Sequence, residues 1–255
     1  MNELALHLTP LQWLLGAAAA LLVGVSKTGI PGVGILVVTL LAQAFGGWNS
    51  VGVMLPMLIL GDVFAVAWYK RHAQWDKLVR LLPWVLVGVA VGAVALRYFG
   101  QNDQTKALLN PVIGCLVLLM LGLHLLGSRL GERLTPRSPA GTISTGLAAG
   151  FATTVSNAAG PIMTIYLAAQ QMPKEQFMGT IAWYFFLINL TKVPIYAAQG
   201  MFTAQSLLIN LYTAPAIIVG VFVGRWLLPR FSERAFNATI LILAAAGAVN
   251  LIVKW

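Results

Sequence analysis

Two short polar segments interrupt otherwise apolar stretches of this chain, and they hold the residue types with which a protein grips an anion. The first reads Ser26-Lys27-Thr28-Gly29-Ile30-Pro31-Gly32, the second Thr153-Thr154-Val155-Ser156-Asn157-Ala158-Ala159-Gly160-Pro161. Glycine costs a helix backbone entropy, and proline removes an N–H and clashes with the preceding turn. Proline is nevertheless well suited to the first position of a helix. Pro31 and Pro161 are therefore expected to restart helices whose N-terminal N–H groups aim at the breaks. Such an end carries about half a positive charge and binds anions. Ser26, Thr28, Ser156 and Asn157 add short polar side chains, Lys27 adds a full charge, and Gly29, Gly32 and Gly160 let a ligand reach the backbone. The competing reading makes both breaks tight polar turns at the membrane surface, with Lys27 solvated. The repeated Ser-x4-Pro spacing speaks against it, because a plain turn need not keep that spacing twice.

Two further charges stand inside apolar runs. Asp62 lies about 12 Å from the Lys70 end of its run, and Lys192 about 10 Å from the outer end of its own, at 1.5 Å per helical residue. A charge at that depth is costly unless paired or hydrated. In one reading Lys192 is a second anion contact and Asp62 a gate or proton carrier. In the other the two form a buried ion pair that holds the molecule together, or Lys192 snorkels outward. In either case they are expected to be coupled.

The elements that position these residues follow from composition. Of 255 residues 59% are hydrophobic and 9% charged, against about 25% charged in a soluble domain. Mean hydropathy is +0.83. Apolar runs recur at 11–25, 32–45, 51–69, 80–99, 107–126, 139–155, 160–171, 176–199, 204–228 and 235–253. A span needs about 20 apolar residues. Six of these runs reach or approach that length, and the four beside the breaks do not. The class is an all-α integral membrane protein. No basic residue precedes Lys27, so the first run lacks the basic region of a signal peptide and is expected to stay in the mature chain. Cys115, the one cysteine, reads as a small packing residue, and His7, His72 and His124 have no metal-ligand neighbours at a useful spacing. Neither a metal nor a cofactor is expected. The net charge of +9 resides largely in loops, where it sets orientation rather than binding nucleic acid.

Segments 70–80, 127–138 and 225–234 are rich in Lys and Arg, while 1–10, 46–50 and 199–203 have none. The positive-inside rule places the first set in the cytoplasm and the second outside, with both termini outside. Each half then consists of a broken-helix hairpin plus three crossings. An odd number of crossings turns the second half (139–255) upside down relative to the first (1–126), with 127–138 as a cytoplasmic linker. Repeated short patterns support a duplication. Val25-Ser26 with Pro31 recurs as Val155-Ser156 with Pro161, and Pro83 with Gly88 and Gly92 recurs as Pro215 with Gly220 and Gly224. Asn110-x2-Ile113 recurs as Asn237-x2-Ile240. Inverted repeats broken at matching places point to a secondary transporter with its site between the repeats. The two Gly-x3-Gly patterns read as helix contacts. Whether the hairpins cross fully stays open at this level.

With these residues in hand, the chain resembles the TauE/SafE family of sulfite and organosulfonate exporters. The resemblance rests on Gly24-Val25-Ser26-Lys27-Thr28-Gly29-Ile30-Pro31-Gly32-Val33-Gly34, on Gly150-Phe151 through Gly160-Pro161 with Tyr166-Leu167 and Phe177-Met178-Gly179-Thr180, and on Asn189 to Tyr196 with Gly200. It departs at Pro31, where relatives often have a denser glycine run, and at Ala159-Gly160, where they often have a glycine pair. The resemblance implies export of a small sulfur-containing anion across a bacterial inner membrane. The residues alone leave open an importer or channel for another small anion, such as sulfate or a carboxylate. They also leave open proton coupling and a homo-oligomer. An intramembrane enzyme would need a positioned base and orienter beside Ser26; Lys27 is adjacent in sequence, but nothing supplies a clear second polar partner, so the chain is not expected to be an enzyme. The expected partners are the small anion and the lipid bilayer.

Overall fold

The computed structural model describes residues 8–29, 33–130, 139–168, 170–227, 242 and 245–253, and among these there are helices and no strands. The elements are α1 (Pro10–Thr28), α2 (Gly34–Phe45), α3 (Gly47–Tyr69, extended by a 3-10 turn Lys70–His72), α4 (Trp75–Phe99), α5 (Asp103–Ala107) and α6 (Leu109–Leu130). They continue as α7 (Pro139–Ser156), α8 (Gly160–Ala168), α9 (Lys174–Ala198) and α10 (Ala204–Leu227). Residues 245–253 are also helical. Pro31, Gly32, most of the linker 127–138, Arg230, Arg234 and Asn237 lie outside the described residues.

Local chemistry explains the boundaries nearest the breaks. Thr9 caps α1 in a reciprocal box with Gln12, and Pro10 occupies the first turn, where its missing N–H costs nothing. The helix runs on through Ser26, Lys27 and Thr28 and stops at Gly29. The short first run expected at 11–25 is thus a 19-residue helix, long and apolar enough to cross a membrane. Two things let it continue through polar residues: the Thr28 hydroxyl donates to the Gly24 carbonyl within the helix, and the Lys27 charge meets a partner on α3. Gly46, at φ 76°, turns α2 straight into α3 with a single residue between them, a conformation glycine reaches without strain. α2 and α8, at 12 and 9 residues, are shorter than a crossing requires.

Among the described residues six helices are long and apolar enough to span: Pro10–Thr28, Gly47–His72, Trp75–Phe99, Asp103–Leu123, Glu175–Ala198 and Ala204–Trp226. α3 and α9 lie against each other at the centre, flanked by α2, α6 and α8. Leu55, Met57, Ile113, Val117, Tyr184 and Ile188 fill the core around them. Two long helix pairs form the sides, α1 along α10 and α4 along α7. Glycine sets their close approach. A Cβ on Gly220 would overlap the Leu21 carbonyl, and one on Gly88 the Leu147 carbonyl. Outward faces carry Leu11 and Leu14 on α1, Val87, Val91 and Val94 on α4, and Leu211 and Phe222 on α10, all exposed, as lipid-facing helices require. Cys115, expected among packing residues, is exposed on α6.

Candidate functional site

The two breaks meet at one cavity of about 70 Å³, room for roughly five to seven waters at 10–15 Å³ each. Ser26, Lys27 and Gly34 line it from the first hairpin, and Thr153, Asn157, Gly160 and Pro161 from the second. α3 contributes Asp62, and α9 contributes Phe185 and Asn189. Apolar walls from Met54, Leu58 and Ile181 complete it.

Its polar centre is a charged triad of side chains. Lys27 Nζ lies 2.7 Å from Asp62 Oδ1, and Asn189 Nδ2 donates to Asp62 Oδ2 at 2.6 Å. The Lys27 ammonium also stands 4.3 Å from the centre of the Phe185 ring, a cation–π distance. Because the Asn189 NH2 group faces a carboxylate, its other end is the carbonyl oxygen, and that buried Oδ1 has no protein partner. A second set lies behind Asn157. Lys192 Nζ donates to Asn157 Oδ1 at 2.6 Å and to the Thr153 carbonyl and hydroxyl, both at 3.1 Å. Three acceptors match the three N–H bonds of an ammonium group. Asn157 takes φ 57° where α7 ends, a left-handed conformation asparagine tolerates, and its Nδ2 donates to the Val51 carbonyl at 3.3 Å. α8 starts at Gly160, so a helix N-terminus with its unsatisfied N–H groups abuts the cavity.

Several residues expected at the site are elsewhere. Thr28 and Gly29 face α10: the Thr28 hydroxyl donates to the Val221 carbonyl at 2.7 Å, and Gly29 lies against Gly224. The helical turn that carries Lys27 to the cavity carries Thr28 to the opposite face. Ser156 Oγ turns back to the Ala152 carbonyl within α7 and does not line the cavity. Lys192 is fully buried one hydrogen bond behind the wall. Pro31 and Gly32 fall outside the described residues. The direct Asp62–Lys192 pair does not form, because Lys27 holds the carboxylate and Lys192 turns toward α7. Sequence reasoning gave no site role to Phe185, to Thr153, although it stands in the second break, or to Asn189, although it stands in the third stretch of the family resemblance. Asn189 carried a usable signal: a polar residue deep in an apolar run, three positions before Lys192 and so on its helix face.

The fold and site define a polytopic, all-helical membrane protein with a charged cavity enclosed between broken helices. The chain belongs to the sulfite exporter TauE/SafE family, whose pattern it matches over residues 16–251. Comparison with curated proteins and with solved structures gives no match.

Proposed function

We propose that this protein exports a small sulfur-containing anion, sulfite or an organosulfonate, across the bacterial inner membrane. Membership of a family of membrane exporters of sulfur anions supports the class. The observation that carries the reading is the cavity: Lys27, partly open to it, faces the start of α8 across a space sized for a small oxyanion. The anion takes the Lys27 ammonium and the N–H groups of α8, while Ser26, Thr153 and Asn189 hydrogen-bond its remaining oxygens or protons.

The same reading includes two inverted halves, 1–126 and 139–255, joined by a cytoplasmic linker at 127–138. An inside-negative potential drives an anion outward by about 2.3 kcal/mol per charge per 100 mV, so export needs no coupling ion in principle. If a proton is also carried, Asp62 is its carrier. The deciding experiment is flux from proteoliposomes loaded in turn with sulfite, an organosulfonate, sulfate and a small carboxylate. Faster release of the first two is expected. Preference for sulfate or the carboxylate would overturn the substrate assignment.

A further inference from the structure

The contacts of the first half recur in the second. A Cβ on Gly24 would overlap the Ile217 carbonyl and Val221 nitrogen, and one on Gly150 the Val85 carbonyl and Val89 nitrogen. Gly224 lies against Thr28 and Val25 as Gly92 lies against Thr154 and Phe151. The Thr28 hydroxyl donates to Gly24 and the Thr154 hydroxyl to Gly150. Residues of α1 thus correspond to residues of α7 126 positions later, Gly24 to Gly150 and Thr28 to Thr154. In α3 and α9 the offset is 127, and Asp62 bonds to its own counterpart, Asn189. Counterparts can touch only at a pseudo-twofold axis, so the axis runs through the cavity. Gly34 with Gly160 and Leu58 with Phe185 line it as further matched pairs.

One matched pair is unequal. Tyr69 and Tyr196, again 127 apart, each send a hydroxyl to the equivalent carbonyl at the end of α1 or α7. Tyr196 donates to the Thr154 oxygen at 2.7 Å and is fully buried. Tyr69 stands 3.5 Å from the Thr28 oxygen and is part-exposed, at the outer limit of a hydrogen bond. The cavity is lopsided in the same sense. Beyond the matched pairs its lining includes Ser26, Ala65, Thr164, Met178 and Ala182; of these Ala65, Met178 and Ala182 lie toward the Tyr69 end, whereas Val51 and Leu55, the counterparts of Met178 and Ala182, do not line it. Gly179, next to Met178, lies against the Tyr69 carbonyl, which fixes that end.

We infer that Tyr69 and Tyr196 are matched latches at the two mouths of the cavity, with the Tyr196 mouth shut and the Tyr69 mouth slack in this structure, and that the transport cycle exchanges them. The inference rests on the two-halves reading of the transporter but not on which anion it carries. The test uses the full-length protein in membrane vesicles of both orientations, with Cys115→Ser as background. Reporter cysteines enter by Ala182→Cys at the Tyr69 mouth or Leu55→Cys at the Tyr196 mouth, and each is labelled by a membrane-impermeant maleimide from its own face. Tyr196→Phe should raise the Leu55-to-Ala182 labelling ratio by about three- to tenfold, the worth of one buried hydrogen bond. Tyr69→Phe should lower it. Movement of the ratio in one direction for both variants, or in neither, would overturn the latches. No flux is measured, so a wrong substrate leaves this outcome untouched, and a failed latch leaves the flux result untouched.

Discussion

Lys27 and Asp62 form a buried pair whose two members depend on each other. Lys27→Ala leaves the Asp62 carboxylate fully buried with only an amide for company. The expected cost is about 3–5 kcal/mol, read as a lower melting temperature in detergent. Adding Asp62→Asn should recover most of that loss, because no charge is then stranded. The double variant should stay unable to bind the anion, which separates a structural loss from a functional one. The partner of Asp62 was hard to read from sequence for a physical reason. Depth counted along the helices puts Asp62 beside Lys192, but a lysine side chain reaches several ångströms, so Lys27 arrives from the end of α1 while Lys192 is satisfied by three oxygens on α7. Lys192→Met removes all three contacts at once and takes the donor from Asn157 Oδ1, while the Thr153 carbonyl keeps the Asn157 N–H. A loss of about 1–3 kcal/mol is expected, together with faster hydrogen exchange at the end of α7.

At the level of helices, glycine seams decide which elements can lie together. Gly220→Val would drive a side chain into the α1 backbone at Leu21, and overpacking of that kind costs about 1–3 kcal/mol or more. Gly122→Ala on α6 meets nothing within 4 Å and should be neutral or slightly stabilising, so the pair of melting curves isolates the seam. The Gly-x3-Gly patterns announced a close helix contact in the sequence. Their partners did not follow, since Thr28 bonds to a residue 193 positions away. The break itself was legible as a break and less so in its register. Matching Ser26 to Ser156 shifts the hairpins by one helical turn from the correspondence the seams impose, which sets Thr28 against Thr154. A serine facing its own helix carries little positional information, whereas a glycine under another backbone carries a great deal.

Across the whole molecule, the clustering of Lys and Arg in 70–80 and 225–234 sets orientation. A cysteine introduced by Asp76→Cys should react with an impermeant reagent in inside-out vesicles and stay unlabelled in intact spheroplasts. The reverse pattern would invert the transport direction proposed above. The all-helical membrane class was legible from composition, because 9% charge leaves too few polar groups for a water-facing surface. The inequality of Tyr69 and Tyr196 was not legible, because it is a difference of less than an ångström in their hydroxyl-to-carbonyl distances.

The long helix seams, α1 on α10 and α4 on α7, also set the order in which the chain can assemble. At about 5–20 residues per second of synthesis, α1 waits about 10–40 seconds for α10 to emerge, with Gly24 and its neighbouring carbonyls against lipid or an insertion factor. α4 finds α7 much sooner. The protein is thus finished by its first helix, whose docking must wait for nearly the last. A chain cut within 127–138 should give two fragments that are degraded when made alone and survive when made together, since each supplies the other's missing seam.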